Sequence, residues 1–270
     1  MIANSEQQLT IEMDMFWALD GNKMQLQQFF INWVIEHYSS SKPLYLGGAH
    51  PDYITSCVKI IDDTVRQDRL LKCHHEEADD CIFFHVSHGI IVYKYKKVVI
   101  TWPDTDVFIS ALYHFNRWIF FGLIELWVVS GKSNSKLAVP LHRIIESIDS
   151  NVVDILPAAH ALPGCDTSSK VGTKLSALQI ALKQGYDLLF DFGRTELSEK
   201  MISSAERFLV CCVSRNSDFD TFDELRNHAY HAKSSQIDLE KLPPTSSSIR
   251  LHIKQHTSKV FPGYMHHSLN

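Results

Sequence analysis

Residues 97–118 read KVVITWPDTDVFISALYHFNRW, and this stretch decides the predicted fold. The β-branched run KVVIT predicts a buried strand, which Pro103 ends. From Asp106 onward apolar side chains recur at helical spacing, so a helix follows the strand directly. A strand followed closely by a helix is the first half of a βαβ unit, and IELWVVSG at residues 124–131 predicts its second strand.

Outward from this stretch, strands alternate with helices over residues 43–150. LYLGG at 44–48 predicts a short buried strand, while residues 52–62 are predicted to be helical. This alternation favours an α/β fold with a doubly wound parallel sheet. Binding sites in such sheets form outside the carboxyl ends of the strands, which is where Asp104 and Asp106 fall.

The rest of the chain is predicted to be mostly helical, and the turn-forming segment 235–248 marks the clearest internal boundary. We therefore expect four parts. They are an N-terminal helical segment at 1–41, an α/β core with an acidic cluster at 42–168, a helical extension at 169–234, and a linker with a C-terminal helix at 235–270.

Composition and charge narrow the function classes. The net charge of −5 provides no overall basic field, although a local basic groove remains compatible with it. Residues 118–129 form the most apolar stretch, which is too short to span a bilayer, and the polar N-terminus predicts no secretion signal. Six cysteines in a chain of this length favour a reducing, intracellular location. The short apolar stretch and the polar N-terminus lead us to expect no membrane partner. No glycine-rich nucleotide-binding motif occurs, so we expect no nucleotide cofactor either.

Three acidic groups are the candidates for chemistry. They are Glu76, Glu77, Asp79 and Asp80 at a helix start, Asp104 and Asp106 after a strand, and Asp166 in the turn LPGCD. Carboxylates at strand ends and helix starts suit Mg²⁺ or Mn²⁺, and two such ions about 4 Å apart promote phosphodiester hydrolysis. The alternative is structural, because acidic residues commonly cap helices or occupy their first turn.

Three motifs occur in order: HEEADD at 75–80, VVITWPDTDV at 98–107, and LPGCD at 162–166 followed by VGTKLSALQI at 171–180. This series resembles the internal region of flap endonucleases and their XPG-type relatives, which carry a PIN-like domain. More narrowly, HEEAD at 75–79, PDTDV at 103–107, LPGCDTSS at 162–169 and LPPTS at 242–246 together are similar to uncharacterised transposon-derived PIN-like proteins of invertebrates. The resemblance extends from Lys42 to His256.

This resemblance implies a PIN-like parallel sheet flanked by helices, followed by a mostly helical part. It also implies metal-dependent phosphodiester hydrolysis of DNA or RNA by a structure-specific nuclease, with a Mg or Mn two-metal site. The implied metal ligands are Glu77, Asp79, Asp104, Asp106 and Asp166. Of these, Asp104, Asp106 and Asp166 are implied to be catalytic, nearest the scissile phosphate.

The family's helix–hairpin–helix corresponds here to residues 168–182. In this segment Lys170, Gly172, Thr173 and Lys174 are placed to present backbone amides and positive charge to a nucleic-acid phosphate. The alternative is an ordinary connection between two helices with solvated lysines.

Two alternatives to an active nuclease stay open. The family carries two further aspartates on earlier strands, for which Asp20 and Asp52 are the nearest counterparts. If neither completes the cluster, a catalytically inactive PIN-like scaffold or interaction module derived from a transposon protein is favoured. A zinc site is the other alternative, because six cysteine and histidine residues crowd residues 73–88, but their spacing fits no closed Cys/His template.

Overall fold

The computed structural model describes residues 12–47, 57–68, 71, 78–102, 104–131, 135–164, 169–214, 218–232 and 239–257. The side chains of residues 78–80, 185, 186 and 239 lie outside this description. Contacts divide the chain into two compact units, Met1–Tyr93 and Lys94–Asn270. The four predicted domain ranges stay a prediction.

The described residues of the first unit form two helices, then a small sheet and a further helix. The helices are α1 (Met13–Trp17), α2 (Asp20–His37) and α3 (Ala78–Ile91), and the strands are β1 (Leu44–Leu46), β2 (Cys57–Ile61) and β3 (Thr64–Asp68). The sheet is antiparallel in the order β1-β2-β3, with Lys59 of β2 opposite Tyr45 of β1 and Arg66 of β3.

The helix predicted over residues 52–62 is wrong where the structure describes it, because Cys57–Ile61 is a strand. The cause is the two-residue turn Asp62–Asp63, in which both residues have positive φ, 46° and 58°. Such a turn matches the twist of two antiparallel strands, and aspartate tolerates its left-handed conformation. A turn this short leaves no room for the crossover helix of a parallel sheet.

The second unit carries the sequence KVVITW at its start and contains three strands and eight α-helices within its described residues. The strands are β4 (Lys97–Thr101), β5 (Glu125–Ser130) and β6 (Leu137–Pro140). The helices are α4 (Thr105–Phe120), α5 (Leu141–Glu146), α6 (Ser150–Ala161), α7 (Lys174–Ile180), α8 (Tyr186–Leu189), α9 (Glu199–Val213), α10 (Phe222–His231) and α11 (Ser246–Thr257). A π-helical turn, Ala181–Gly185, joins α7 to α8, and a 3₁₀ turn, Leu239–Lys241, precedes α11.

The predicted βαβ unit is confirmed, since β4 and β5 are parallel with Val99 opposite Trp127 and with α4 between them in sequence. However, β6 pairs antiparallel with β5, and the six residues that separate them are too few for a crossover. The described residues thus form a mixed α/β protein with two three-stranded sheets. They do not confirm a PIN-like parallel sheet.

Helix α4 forms as its apolar spacing predicts. It buries Val107, Ala111, Phe115 and Trp118 along one side, and it packs on α6. The main apolar core of the unit lies among the later helices, where α6, α7, α9, α10 and α11 bury a continuous cluster of side chains. Helix α6 therefore connects the βαβ unit to this core. None of the helices within the described ranges is long and apolar enough to cross a membrane.

Candidate functional site

The carboxyl end of β4 carries the two aspartates on which the sequence analysis depends. Asp104 is the N-cap of α4, with an extended backbone, and its Oδ1 accepts a hydrogen bond from the backbone N–H of Asp106 at 3.1 Å. Asp106 lies in the first turn of the helix, where the helix dipole favours a negative charge. Local capping chemistry thus holds both carboxylates at this end of the strand.

Two residues from later helices approach Asp106. The Lys174 Nζ, at the start of α7, donates to the Asp106 Oδ1 at 2.8 Å. The His160 Nε2, near the end of α6, lies 3.5 Å from the same oxygen. We refer to Asp104, Asp106, His160 and Lys174 as the Asp106 cluster. All four belong to the second unit, and the packing of α6 on both α4 and α7 brings them together.

The pKa of the His160 imidazole is lowered from its ordinary value. Burial is the largest cause, and the nearby Lys174 ammonium lowers the pKa further. The carboxylates of Asp106 and Asp104 act in the opposite direction without reversing the shift. The imidazole side chain is 8% exposed, whereas those of Asp106 and Lys174 are 48% and 34% exposed. The two charged groups are thus partly exposed to water, whereas the imidazole ring is buried.

The position of Lys174 is set by the local structure at the start of α7. The Thr173 Oγ1 accepts from the backbone N–H of Ser176 at 3.0 Å, and the Ser176 Oγ accepts from the backbone N–H of Thr173 at 3.2 Å. This capping box closes the helix end. Gly172, with φ of 78°, supplies the turn that enters it.

The segment that precedes α7 is anchored at both of its ends. The Val171 N–H donates to the carbonyl of Pro163 at 2.8 Å. His252 of α11 contacts the Ser169 Oγ through Nδ1 at 2.5 Å and the carbonyl of Leu162 through Nε2 at 2.6 Å. Because a carbonyl only accepts, the His252 Nε2 carries a proton and donates to the Leu162 carbonyl. A buried histidine thus ties α11 to both sides of the connection between α6 and α7.

The structure brings together three of the residues predicted from the sequence, namely Asp104, Asp106 and Lys174. Thr173 caps α7, Gly172 forms the turn before it, and the Lys170 side chain is exposed. Their role in nucleic-acid binding stays a prediction.

The other predicted ligands stay predictions. Glu77 and Asp166 lie outside the described residues, as does Asp52, and Asp79 is described only as backbone in α3. Asp20 begins α2 and forms an ion pair with Lys23 at 3.0 Å, so the stretch around it is a helix and not the strand that the family comparison requires.

His160 was missed by the sequence analysis. It occurs in LPAAHAL, where a histidine among apolar helix residues is typical of a packed core side chain. One feature of the sequence could have pointed to a role for His160 in the site. It lies in the last turn of the helix that precedes LPGCD, the segment that carries a predicted ligand.

The carboxylate oxygens of the cluster suit a hard divalent cation, and a cation, the Lys174 ammonium, already contacts one of them. Within the part of the chain that the structure describes, however, no group of three or more histidine, cysteine, aspartate or glutamate side chains could hold a metal ion. The zinc alternative stays a prediction, because Cys73, His74 and His75 lie outside the described residues. The two described aspartates can hold a metal only together with further ligands.

In comparisons with known proteins, no family model, no curated protein and no solved structure matches this chain.

Proposed function

We propose that the second unit is a divalent-cation-dependent nuclease that hydrolyses a phosphodiester bond of DNA or RNA. The observation that carries the proposal is the Asp106 cluster itself. Asp104 and Asp106 lie at the carboxyl end of a parallel strand, the position at which α/β proteins build their sites. A cationic side chain lies 2.8 Å from the second of them.

The carboxylate oxygens of Asp104 and Asp106 are the type of ligand that Mg²⁺ and Mn²⁺ prefer. Asp104 and Asp106 would hold the ion through carboxylate oxygens, and Asp166, on the connection between α6 and α7, is the further ligand proposed within the same unit. Glu77 and Asp79 belong to the first unit and stay predictions from the sequence alone. When bound, such an ion lowers the pKa of a coordinated water and neutralises charge on the phosphate.

The chain's own residues contribute positioning and charge. The cap of Asp104 on α4 keeps the two carboxylates in place without a flexible linker. Lys174 is half-exposed and can reach an incoming phosphate, for which an ammonium group is a common partner in proteins. His160 is buried, and burial lowers the pKa of its imidazole, which favours the uncharged form and adds polarity to the site.

An inactive PIN-like scaffold is the second candidate, and a specific observation favours it. Lys174 already neutralises Asp106, as expected of a carboxylate whose metal has been replaced by a permanent ion pair. Asp20, one of the two counterparts for the family's further aspartates, begins a helix in the first unit. A scaffold of this kind would act by binding another macromolecule.

Calorimetric titration of Mn²⁺ into the wild type and into Asp104→Asn/Asp106→Asn separates the two candidates. The asparagine side chains keep the shape and the helix cap but remove both negative charges. A control variant, Asp149→Asn, makes the equivalent change at the cap of α6, where the Asp149 Oδ1 accepts from the backbone N–H of Asn151 at 2.8 Å.

The nuclease proposal expects saturable Mn²⁺ binding in the wild type and in the control, and none in the double variant. It also expects Mn²⁺-stimulated cleavage of labelled flap, hairpin or single-stranded substrates with the same dependence on the two aspartates. If the folded wild type binds no Mn²⁺, the nuclease proposal is refuted and the scaffold is favoured.

A further inference from the structure

Two hydroxyl groups and one ammonium group meet at one point of the first unit. The Lys59 Nζ, on β2, donates to the Tyr93 hydroxyl at 2.7 Å, and the Tyr45 hydroxyl, on β1, is hydrogen-bonded to the same Tyr93 oxygen. We refer to Tyr45, Lys59 and Tyr93 as the Tyr93 cluster. We propose that Tyr93 is the nucleophile of a second, covalent site, which accepts an acyl group from an activated ester. This site is independent of the proposed nuclease function.

The small sheet of the first unit sets the positions of these groups. Tyr45 and Lys59 lie directly opposite each other in the antiparallel pair of β1 and β2, so their side chains leave the same face of the sheet. The Lys59 ammonium lies 5.5 Å from the centroid of the Tyr45 ring and 5.3 Å from that of the Tyr93 ring. Attraction to both rings thus holds the ammonium beside the Tyr93 oxygen.

The hydrogen bonds have one possible direction once Tyr93 loses its proton. An ammonium group only donates, so the Tyr93 oxygen accepts from Lys59. A phenolate has no proton to give, and it therefore also accepts from the Tyr45 hydroxyl. Two donors on one oxygen stabilise the negative charge that makes a phenol nucleophilic.

The two phenols ionise with different ease. The hydrogen bond from Lys59 is the largest cause that lowers the pKa of Tyr93, and the hydrogen bond from Tyr45 lowers it further. Burial is the largest cause that raises the pKa of Tyr45, so this hydroxyl keeps its proton and stays a donor. Opposite shifts in two neighbouring groups give them different roles, with Tyr93 as the nucleophile and Tyr45 as the donor.

The charged groups around the cluster favour a neutral electrophile. Asp68 of β3 raises the pKa of both tyrosines, and its carboxylate lies 3.8 Å from His88 of α3. The His88 ring contacts both tyrosine rings edge to face, and Arg66 lies opposite Lys59 in the sheet. A phosphoryl donor would bring several negative charges close to the Asp68 carboxylate, whereas an ester brings none.

Acyl transfer to Tyr93 is a balanced step. Tyr93 is partly exposed, so its proton can leave to water and a small ester can reach its oxygen. The phenolate oxygen attacks the ester carbonyl carbon, and the bond to the leaving group breaks as the new C–O bond forms, so that the leaving group departs with that electron pair. Lys59 and Tyr45 can then donate to the carbonyl oxygen on which negative charge develops.

The experiment treats the full chain with p-nitrophenyl acetate at mildly alkaline pH. Absorbance follows the release of p-nitrophenolate, and mass spectrometry of peptides measures the acetyl group on each tyrosine. The variants that remove parts of the cluster are Tyr93→Phe and Lys59→Met. Circular dichroism confirms that each variant is folded.

Two matched controls come from the same unit. Tyr38→Phe removes another partly exposed phenol, one that donates to the Lys42 carbonyl at 2.9 Å instead of accepting from an ammonium. Lys23→Met removes an ammonium of α2 that is paired with Asp20.

We expect Tyr93 to be acetylated before Tyr38 in the wild type, with a fast phase that releases about one p-nitrophenolate per chain. The fast phase should disappear in Tyr93→Phe and slow by about three- to tenfold in Lys59→Met. This range lies between the effect of an exposed ion pair and that of a hydrogen bond to a charged group. Both controls should react like the wild type.

Other results overturn the inference. It is wrong if Tyr38 is acetylated before Tyr93 in the folded wild type, and this comparison needs no variant. It is also wrong if Lys59→Met reacts at the wild-type rate, or if Lys23→Met slows the fast phase as much as Lys59→Met does. In the last case a general loss of positive charge, and not the contact with Tyr93, would set the rate.

Discussion

Asp104 has two roles that two substitutions separate, namely helix cap and proposed metal ligand. Its Oδ1 accepts the backbone N–H of Asp106, and its charge lies at the positive end of the α4 dipole. Asp104→Ala removes the cap and the charge, whereas Asp104→Asn removes the charge and keeps a good N-cap. We expect both variants to lose Mn²⁺ binding but only the alanine variant to lose the stability that the cap contributes.

The magnitude follows from the contact and its exposure. Loss of an aspartate cap costs about 0.5–2 kcal/mol, and the exposed Asp104 with a single 3.1 Å bond should cost ~1 kcal/mol. Asn should cost only the dipole interaction, about 0.3–0.5 kcal/mol at an exposed position. The buried face of α4 keeps the helix formed in both variants. One kcal/mol corresponds to a shift of about 2–4 °C in the unfolding temperature for a unit of this size.

Urea unfolding followed by circular dichroism measures the stability of the two variants, and calorimetry measures their Mn²⁺ binding. Asp149→Ala is the control, because it removes the equivalent cap from α6 at a residue outside the Asp106 cluster. It should lose stability as Asp104→Ala does and should bind Mn²⁺ like the wild type. Equal stability of Asp104→Ala and Asp104→Asn would refute the capping argument. Undiminished Mn²⁺ affinity in Asp104→Asn would refute Asp104 as a ligand.

Three further predictions concern other parts of the chain. Glu206→Ala should destabilise the second unit by about 1–3 kcal/mol in urea unfolding. The buried carboxylate of Glu206 accepts a hydrogen bond from the backbone N–H of Phe222 at 2.9 Å, and its removal leaves that donor without this acceptor. A cost within ~0.5 kcal/mol of zero, as at ordinary surface sites, would contradict this prediction. Burial is the main cause that lowers the pKa of His114 to about 3, so its neutral form is stable in the fold and stability should fall as the pH drops from about 6.5 toward that value. His114→Phe should reduce this slope in unfolding measured at several pH values, and an unchanged slope would show that other groups cause it. The pKa of Tyr93 is lowered chiefly by the hydrogen bond from Lys59, at 2.7 Å. Tyr93 should therefore form tyrosinate at a lower pH in the wild type than in Lys59→Met. Identical absorbance titrations of the two proteins would count against that contact.

The helix and strand order of the second unit was predictable where a strong pattern met a clear stop signal. The β-branched run before Pro103 became β4, and the periodic apolar positions of the following stretch became the buried side of α4. These features depend on neighbours in sequence, and local preferences therefore suffice to predict them.

The hairpin of β2 and β3 was not predicted, although a signal was present. The segment CVKIIDDTVRQD carries apolar and β-branched residues on both sides of two aspartates, a composition that favours a two-residue turn between strands. The short apolar run was compatible with a helix as well, and periodicity alone does not separate the two. The pairing of Ile61 with Thr64 across the turn decided the outcome.

The sequence by itself determined the position of Asp104 and Asp106, because a strand, a helix cap and a first helical turn are set by residues within a few positions of one another. Only the tertiary structure decided which groups meet these carboxylates. Lys174 lies 68 positions away in sequence, and His160 had every local feature of an ordinary core residue. Both reach Asp106 because α6 packs on α4 and on α7, and that packing results from apolar burial across the whole unit and not from any local pattern.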